Sequence, residues 1–259
     1  MIELVQDGAV ALLTVRRAAK KNAFTEAMWR ALLEQCRALA AACTERRADG
    51  PRVVVLQGQA GAFCSGADIE ELASLVHDPQ ALAANHRVVA QAQRALQELP
   101  LPTLAVIDGP CFGGGFGLAA ACDFRIGSTR ARFAVTPARL GLLYSLDDTR
   151  RLVRLVGDSR ARRLLMRGEA LTATAALDWG VLDALVQPED LAAEATRWTQ
   201  GLAAQSRTAM AGIKATLHAV PQADAAQALA LQDLFAQAFV GPDFAEGAAA
   251  FVQRREPRF

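Results

Sequence analysis

The sequence predicts an α/β core followed by a helical region, on three observations. Short apolar runs bounded by Gly or Pro, at 53–56 and 103–107, alternate with segments of helical period. A triple glycine in IDGPCFGGGFGLAAACDF (107–124) lies between such a run and a small-residue segment able to be helical. From Ser145 on the pattern is almost wholly helical, which places a helical region after the alternating part.

The elements follow in order. Alternation at 2–6 and 9–15 around Asp7-Gly8 predicts a β-hairpin. Thr25 can cap a helix running to about residue 42, with Met28, Leu32, Cys36, Leu39 and Cys43 on one apolar face. A short, fully apolar strand at 53–56 leads to a glycine-containing loop at 61–66, and the chain turns helical from Asp68. A longer helix at 79–97 is broken by Pro100 and Pro102 before the strand at 103–107. Short strands are expected at 124–126 and 132–134, and a strand or extended connection at 181–186. The Arg-rich stretch 150–163 is interrupted by Asp158 and apolar residues, as on a solvated helix face or a subunit contact. The Ala-rich tail from about residue 188 has modest apolar faces that need a neighbour to pack on, so self-association is expected.

Composition narrows the function classes. The chain has 259 residues, 52% hydrophobic and 21% charged, with a net charge of +1. It can therefore bury a large core, and no global charge favours nucleic acid or an anionic membrane. No apolar run reaches membrane-spanning length without charge. The five cysteines form no CxxC pair and the three histidines no HExxH-type array, so neither a metal site nor a histidine triad is expected. The cysteines read as reduced, mostly buried thiols of a cytoplasmic protein without a signal peptide.

Two loops share a grammar: AFCSGADIEEL (62–72) and CFGGGFGLAAACD (111–123). Each follows an apolar strand and leads into a helix. Adjacent strands would bring both helix starts together at their carboxyl ends, where α/β proteins place sites. The N–H groups of Ala67 and Gly114 could then converge on one oxygen as an oxyanion hole, in which each donor is worth about 2.7–4 kcal/mol. Such a hole suits a thioester carbonyl that becomes an enolate or tetrahedral oxyanion. The alternative is a tight turn with close helix packing. Neither loop fits a nucleotide-phosphate motif, and no acid or base lies between Asp108 and Asp123.

These two loops, together with CDFRI after the glycines, RRAAKKNAF (16–24), LTATAALDWGVLDALV (171–186) and the tail DFAEGAAAFVQRREPRF (243–259), resemble the crotonase superfamily, the enoyl-CoA hydratase/isomerase family. The similarity spans essentially the whole chain. It implies an α/β crotonase (ClpP/crotonase-like) spiral of ββα units over 1–187. A C-terminal helical trimerisation region over 188–259 is implied too, with assembly as a homotrimer or dimer of trimers. It also implies an acyl-CoA thioester substrate, with coenzyme A entering as part of the substrate and no bound cofactor. The oxyanion hole would map to Ala67 and Gly114. The stretch containing Ala62, Cys64, Ser65, Asp68 and Ile69 would line the adenine and pantetheine path. Arg17 and Lys20 are candidates for the CoA phosphates, with plain solvated charge as the alternative.

The resemblance also marks departures. Hydratases of this family carry two glutamates, and their positions here read Gly117 and Pro137. General acid–base catalysis contributes about 10²–10⁴-fold, so ordinary hydration is not expected. The change at Pro137 also removes the glutamate of the related isomerases. Thr136, Tyr144 and Ser145 fall where the family lines its acyl pocket. The pattern TPxxLGxxY (136–144) resembles the methylmalonyl-CoA decarboxylase branch, although that branch has a histidine at the position of Ala67 and, in some members, a glutamate at that of Gly117. Tyr144 can serve the pocket or the core. Ser145 can line the pocket or cap the helix that follows it, and Asp147 can be a first-turn acid or a proton carrier. Cys64 has no base nearby in sequence and reads as a buried thiol, and Glu71 as part of the helix after Asp68.

Overall fold

A computed structural model describes residues 1–44, 50–220 and 224–259. Its main sheet has six strands in the order β1-β2-β3-β4-β6-β9: β1 (Ile2–Asp7), β2 (Val10–Val15), β3 (Val53–Gly58), β4 (Thr103–Ile107), β6 (Phe124–Ser128) and β9 (Ala184–Val186). The first two form the antiparallel hairpin, and every other pairing in this sheet is parallel. A second sheet holds β5 (Pro110–Phe112), β7 (Arg132–Ala134) and β8 (Ala170–Thr172).

Both β5 and β8 lie in stretches the sequence predicts as turn or helix. Three residues carry no measurable alternation, so only their partners reveal them. The expected strand at 181–186 is limited to its last three residues. Val181 and Leu182 instead turn back to donate their N–H groups to the Ala176 carbonyl.

Helices cover both faces of the main sheet. Helix α1 (Glu26–Thr44) begins with a Thr25 hydroxyl accepting from the Met28 N–H at 3.4 Å. It packs on α3 (Pro79–Gln97), and the core beneath contains Phe24, Trp29, Phe63, Phe116 and Phe133, all fully buried. On the opposite face Val55, Leu104, Val106 and Ile126 are covered by α7 (Leu191–Ala203), where Trp198 meets Phe124 at 5.2 Å between ring centroids.

The remaining helices are α2 (Ile69–Ser74), α4 (Gly114–Ala121), α5 (Leu146–Arg167), α6 (Ala173–Asp178), α8 (Arg207–Ala219), α9 (Ala225–Val240) and α10 (Pro242–Gln253). Helix α5 is two helices joined across a kink at Gly157, which leaves helical geometry at φ 77°. Lys214 of α8 reaches the core and donates to Asp123 at 2.7 Å and to the Leu101 carbonyl at 2.9 Å. Among the described residues no helix is long and apolar enough to cross a membrane.

Candidate active site

Strands β3 and β4 are parallel neighbours, with Val55 opposite Leu104 and Leu56 opposite Ala105. Their outgoing loops therefore leave from the same edge. The 59–68 loop then runs beside β5 like an extra strand. The Phe63 and Cys64 N–H groups donate to the Pro110 carbonyl, and the Phe112 N–H donates to the Cys64 carbonyl. On the other side, the Phe24 N–H donates to the Gly66 carbonyl and the Asp68 N–H to the Phe24 carbonyl. This lacing brings Gly66–Ala67 against Gly113–Gly114.

Glycine is required at two of these positions. Gly66 has φ +107°, and a Cβ there would stand 3.0 Å from the Phe112 carbonyl. Gly113 has φ +49° and starts α4 without a side-chain cap. A Cβ on Gly114 would lie 3.7 Å from the Ala67 nitrogen, and one on Gly66 3.6 Å from the Gly114 nitrogen. The two N–H groups are thus close neighbours. Neither donates to another group among the described residues, and both residues are half-buried rather than sealed. Two unpaired donors side by side, one at a helix start, can hold an oxygen that gains negative charge. Trp29 backs the pair, 3.4 Å from the Gly114 Cβ position, and stacks on Phe24 at 4.4 Å.

The other sequence-predicted residues are placed as follows. Asp68 caps α2 by accepting from the Glu70 and Glu71 N–H groups. It also pairs with Arg17 at 2.5 Å. The Arg17 hydrogen bond, aided by the α2 N–H groups, holds the Asp68 carboxyl below the usual carboxylate range. Arg17 borders a cavity of about 440 Å³ lined also by Met28 and Ala31. Lys20 pairs with Glu70 at 2.6 Å on the exposed surface. Ser65 donates its hydroxyl to the Lys20 carbonyl, and Ile69 is 47% exposed at the start of α2.

Ala62 and Cys64 are buried, and the Cys64 side chain turns inward against Gly115. Burial pushes its thiol up to about 12, so it is not a nucleophile at neutral pH. Glu71 accepts from the Glu26 N–H and so caps α1.

Thr136 and Pro137 are half-buried at the start of a 3-10 turn over Pro137–Leu140. The Tyr144 hydroxyl donates to the Gly113 carbonyl at 3.2 Å, one residue before the Gly114 donor. Burial, with Asp148 nearby, raises the phenol well above its ordinary value. Ser145 caps α5, accepting from the Asp148 N–H at 3.0 Å. Asp147 points outward to Arg94 and Arg150, which removes it as a proton carrier.

Three residues that sequence reasoning missed shape the site. Asn22, fully buried at φ 59°, donates to the Gln59 and Ala62 carbonyls and accepts from the Arg17 N–H, so it ties the first loop to the second. Its signal is the Lys-Lys-Asn turn, since asparagine tolerates left-handed backbone. Asp148 and Gln93 lie buried beside Gly117. The S-x-x-D spacing of Ser145 and Asp148 is the only hint of the first, and nothing local marks the second. Among the described residues no cluster of His, Cys, Asp or Glu could hold a metal ion.

Comparisons with known proteins identify the family. A family model described as enoyl-CoA hydratase/isomerase matches residues 6–259. The chain belongs to the enoyl-CoA hydratase/isomerase family. A Mycobacterium leprae protein named "Probable enoyl-CoA hydratase echA6" is 30% identical over 100% of this chain and 99% of its own. The "Enoyl-CoA isomerase/hydratase fer4" of Mycosarcoma maydis is 29% identical over 95% of this chain and 91% of its own. Among solved structures, an enoyl-CoA hydratase of Mycobacterium smegmatis superposes with a TM-score of 0.90 at 30% identity, covering 99% of this chain and 98% of that one. An enoyl-CoA hydratase from Bacillus anthracis gives 0.90 at 26% identity, covering 100% and 98%. The fold is therefore the crotonase fold, with its helical C-terminal region present.

Proposed function

We propose that this family member acts on acyl-CoA thioesters, holding the thioester oxygen as an enolate between the Ala67 and Gly114 N–H groups. The observation that carries the reading is the pair of unpaired, adjacent, half-buried donors described above. Residues 117 and 137 are Gly and Pro, so neither family position supplies a carboxylate to activate water. The buried carboxylate beside Gly117, Asp148, is engaged by Ser145 and Arg151.

A reaction that reaches the enolate without a base fits such a site. In decarboxylation of a malonyl-type thioester, the bond from Cα to the carboxylate breaks and its electron pair passes into the thioester. CO₂ leaves, and a proton from a donor or from solvent then adds to Cα. The N–H pair stabilises the intermediate throughout. The CoA phosphates would meet Lys20 more readily than Arg17. The Lys20–Glu70 pair is exposed and exchangeable, whereas Arg17 is committed to Asp68 and the Ala23 carbonyl. In this reading the protein is a homotrimer or dimer of trimers.

Incubation with malonyl-CoA, methylmalonyl-CoA and crotonyl-CoA tests the reading. CO₂ release from a malonyl thioester is the expected result. Tight binding of all three without turnover would instead make the protein an acyl-CoA-binding member of the family. Absence of any CoA-ester binding would refute the site assignment.

A further inference from the structure

The space in front of Gly117 is filled by side chains from two other helices. A Cβ built on Gly117 would stand 2.5 Å from Asp148 Oδ1 and 2.5 Å from Gln93 Nε2. Gln93 comes from α3 and Asp148 from α5, and both are buried, at 1% and 6% exposure. Arg151, also 6% exposed, joins them by donating to Asp148 Oδ1 at 3.0 Å and to Gln93 Oε1 at 3.2 Å. The other carboxylate oxygen accepts from the Ser145 hydroxyl at 2.8 Å. The next residue back, Tyr144, donates to the Gly113 carbonyl.

Packing alone does not call for this arrangement. Apolar side chains of similar volume would fill the same space without desolvating an Asp and an Arg. Among the described residues Gln93 Nε2 has no hydrogen-bond partner, an uncommon state for a buried donor. What the polar cluster does provide is a connection. Hydrogen bonds run from α3 through Arg151 and Asp148 to Ser145, and the backbone carries the link one residue on to Tyr144, whose hydroxyl meets Gly113 beside the Gly114 donor.

We propose that Asp148 is a positioning residue for this site. It occupies the space that a side chain at 117 would take and, through Ser145, sets the Tyr144 hydroxyl against the Gly113 carbonyl. Only the expectation that Tyr144 then meets an acyl group rests on the acyl-CoA reading.

Tyr144 is the single tyrosine of the chain, so labelling with 3-fluorotyrosine yields one fluorine resonance. Butyryl-CoA serves as an unreactive thioester, with its binding followed by calorimetry. In the unaltered protein the resonance should shift when butyryl-CoA binds. Asp148→Ala should move the free resonance and abolish the ligand-induced shift. Ser145→Ala, which cuts the link while leaving Asp148 on Arg151, should move it in the same direction. Resonances unchanged in both variants, free and with ligand, would overturn the positioning role.

A thermal-melting cycle tests the filled space separately. Gly to Ala inside a helix ordinarily stabilises. Here Gly117→Ala should lower Tm, and Gly117→Ala/Asp148→Ala should lose less than the sum of the single losses. A Gly117→Ala protein that melts higher would contradict the proposal. If butyryl-CoA does not bind the unaltered protein, the acyl-CoA reading fails, and Asp148 is judged on the free resonances and the melting cycle.

Discussion

Gly114 combines two duties that a larger residue would set against each other. Its N–H opens α4 without an acceptor, and its missing Cβ keeps the approach to Ala67 clear. Gly114→Ala should therefore fold, since its Cβ meets Trp29 at 3.4 Å without backbone collision. Its N–H remains, but its Cβ, 3.7 Å from the Ala67 nitrogen, crowds the space an oxyanion would take, so turnover should fall, by at most the roughly 10²–10³-fold that losing one oxyanion donor costs. Steady-state kinetics beside a thermal melt checks both halves. Tyr144→Phe removes one hydrogen bond and should cost about 1 kcal/mol in urea unfolding. The glycine loops alone leave Ala67 and Gly114 open between a donor pair and a tight turn with close helix packing, and it is the resemblance along the whole chain that singles the two residues out. The sequence cannot choose between Asp147 and Asp148. Successive helical residues point about 100° apart, and only the packing of α5 on α4 decides which acid turns inward. Gln93 is illegible for the same reason, lying on α3 with no motif around it.

Elements with long periods are legible and very short ones are not. The boundaries of α3 and β4 follow from Pro79, Pro100 and Pro102 and from unbroken apolar patterning. The three-residue strands β5 and β8 exist because the second sheet pairs them with β7, which is a tertiary fact. At the start of α2 the chain joins a cap, an ion pair and the substrate-side loop in one residue, Asp68. Asp68→Ala should cost about 0.5–2 kcal/mol, the range for losing a helix cap. The loss should depend on pH with a definite sign. The folded pKa is depressed, so the contribution is present above the unfolded value of about 3.9 and disappears as pH falls through the folded value. Urea unfolding at neutral pH and near pH 3 should show the gap between Asp68→Ala and the unaltered protein narrowing in acid.

At the scale of the whole molecule, α7 packs on the main sheet, and named polar ties join α8 and the segment before it to the core. Lys214 binds Asp123 and the Leu101 carbonyl from α8, and Arg52 donates to the Ala203 and Gln205 carbonyls. Lys214→Ala leaves Asp123 without its charge partner and should destabilise by about 3 kcal/mol in urea unfolding. The C-terminal helices leave Leu229, Phe235, Phe239, Val240, Phe251 and Val252 exposed. That much apolar surface agrees with the self-association expected from the Ala-rich tail. Light scattering on the eluted protein should give a mass of three or six subunits, and a monomer would refute the proposed assembly. The crotonase fold was legible from the combination of motifs along the whole chain, whereas the reaction is not, because Gly117 and Pro137 say only what is missing. The central claim is a CoA-thioester enolate site working without those two carboxylates. A parallel assay of CO₂ release from malonyl-CoA and of crotonyl-CoA hydration, in the unaltered protein and in Gly114→Ala, tests it most directly. The account predicts CO₂ release that falls in Gly114→Ala and negligible loss of the enoyl-thioester absorbance. Rapid hydration of crotonyl-CoA would contradict it.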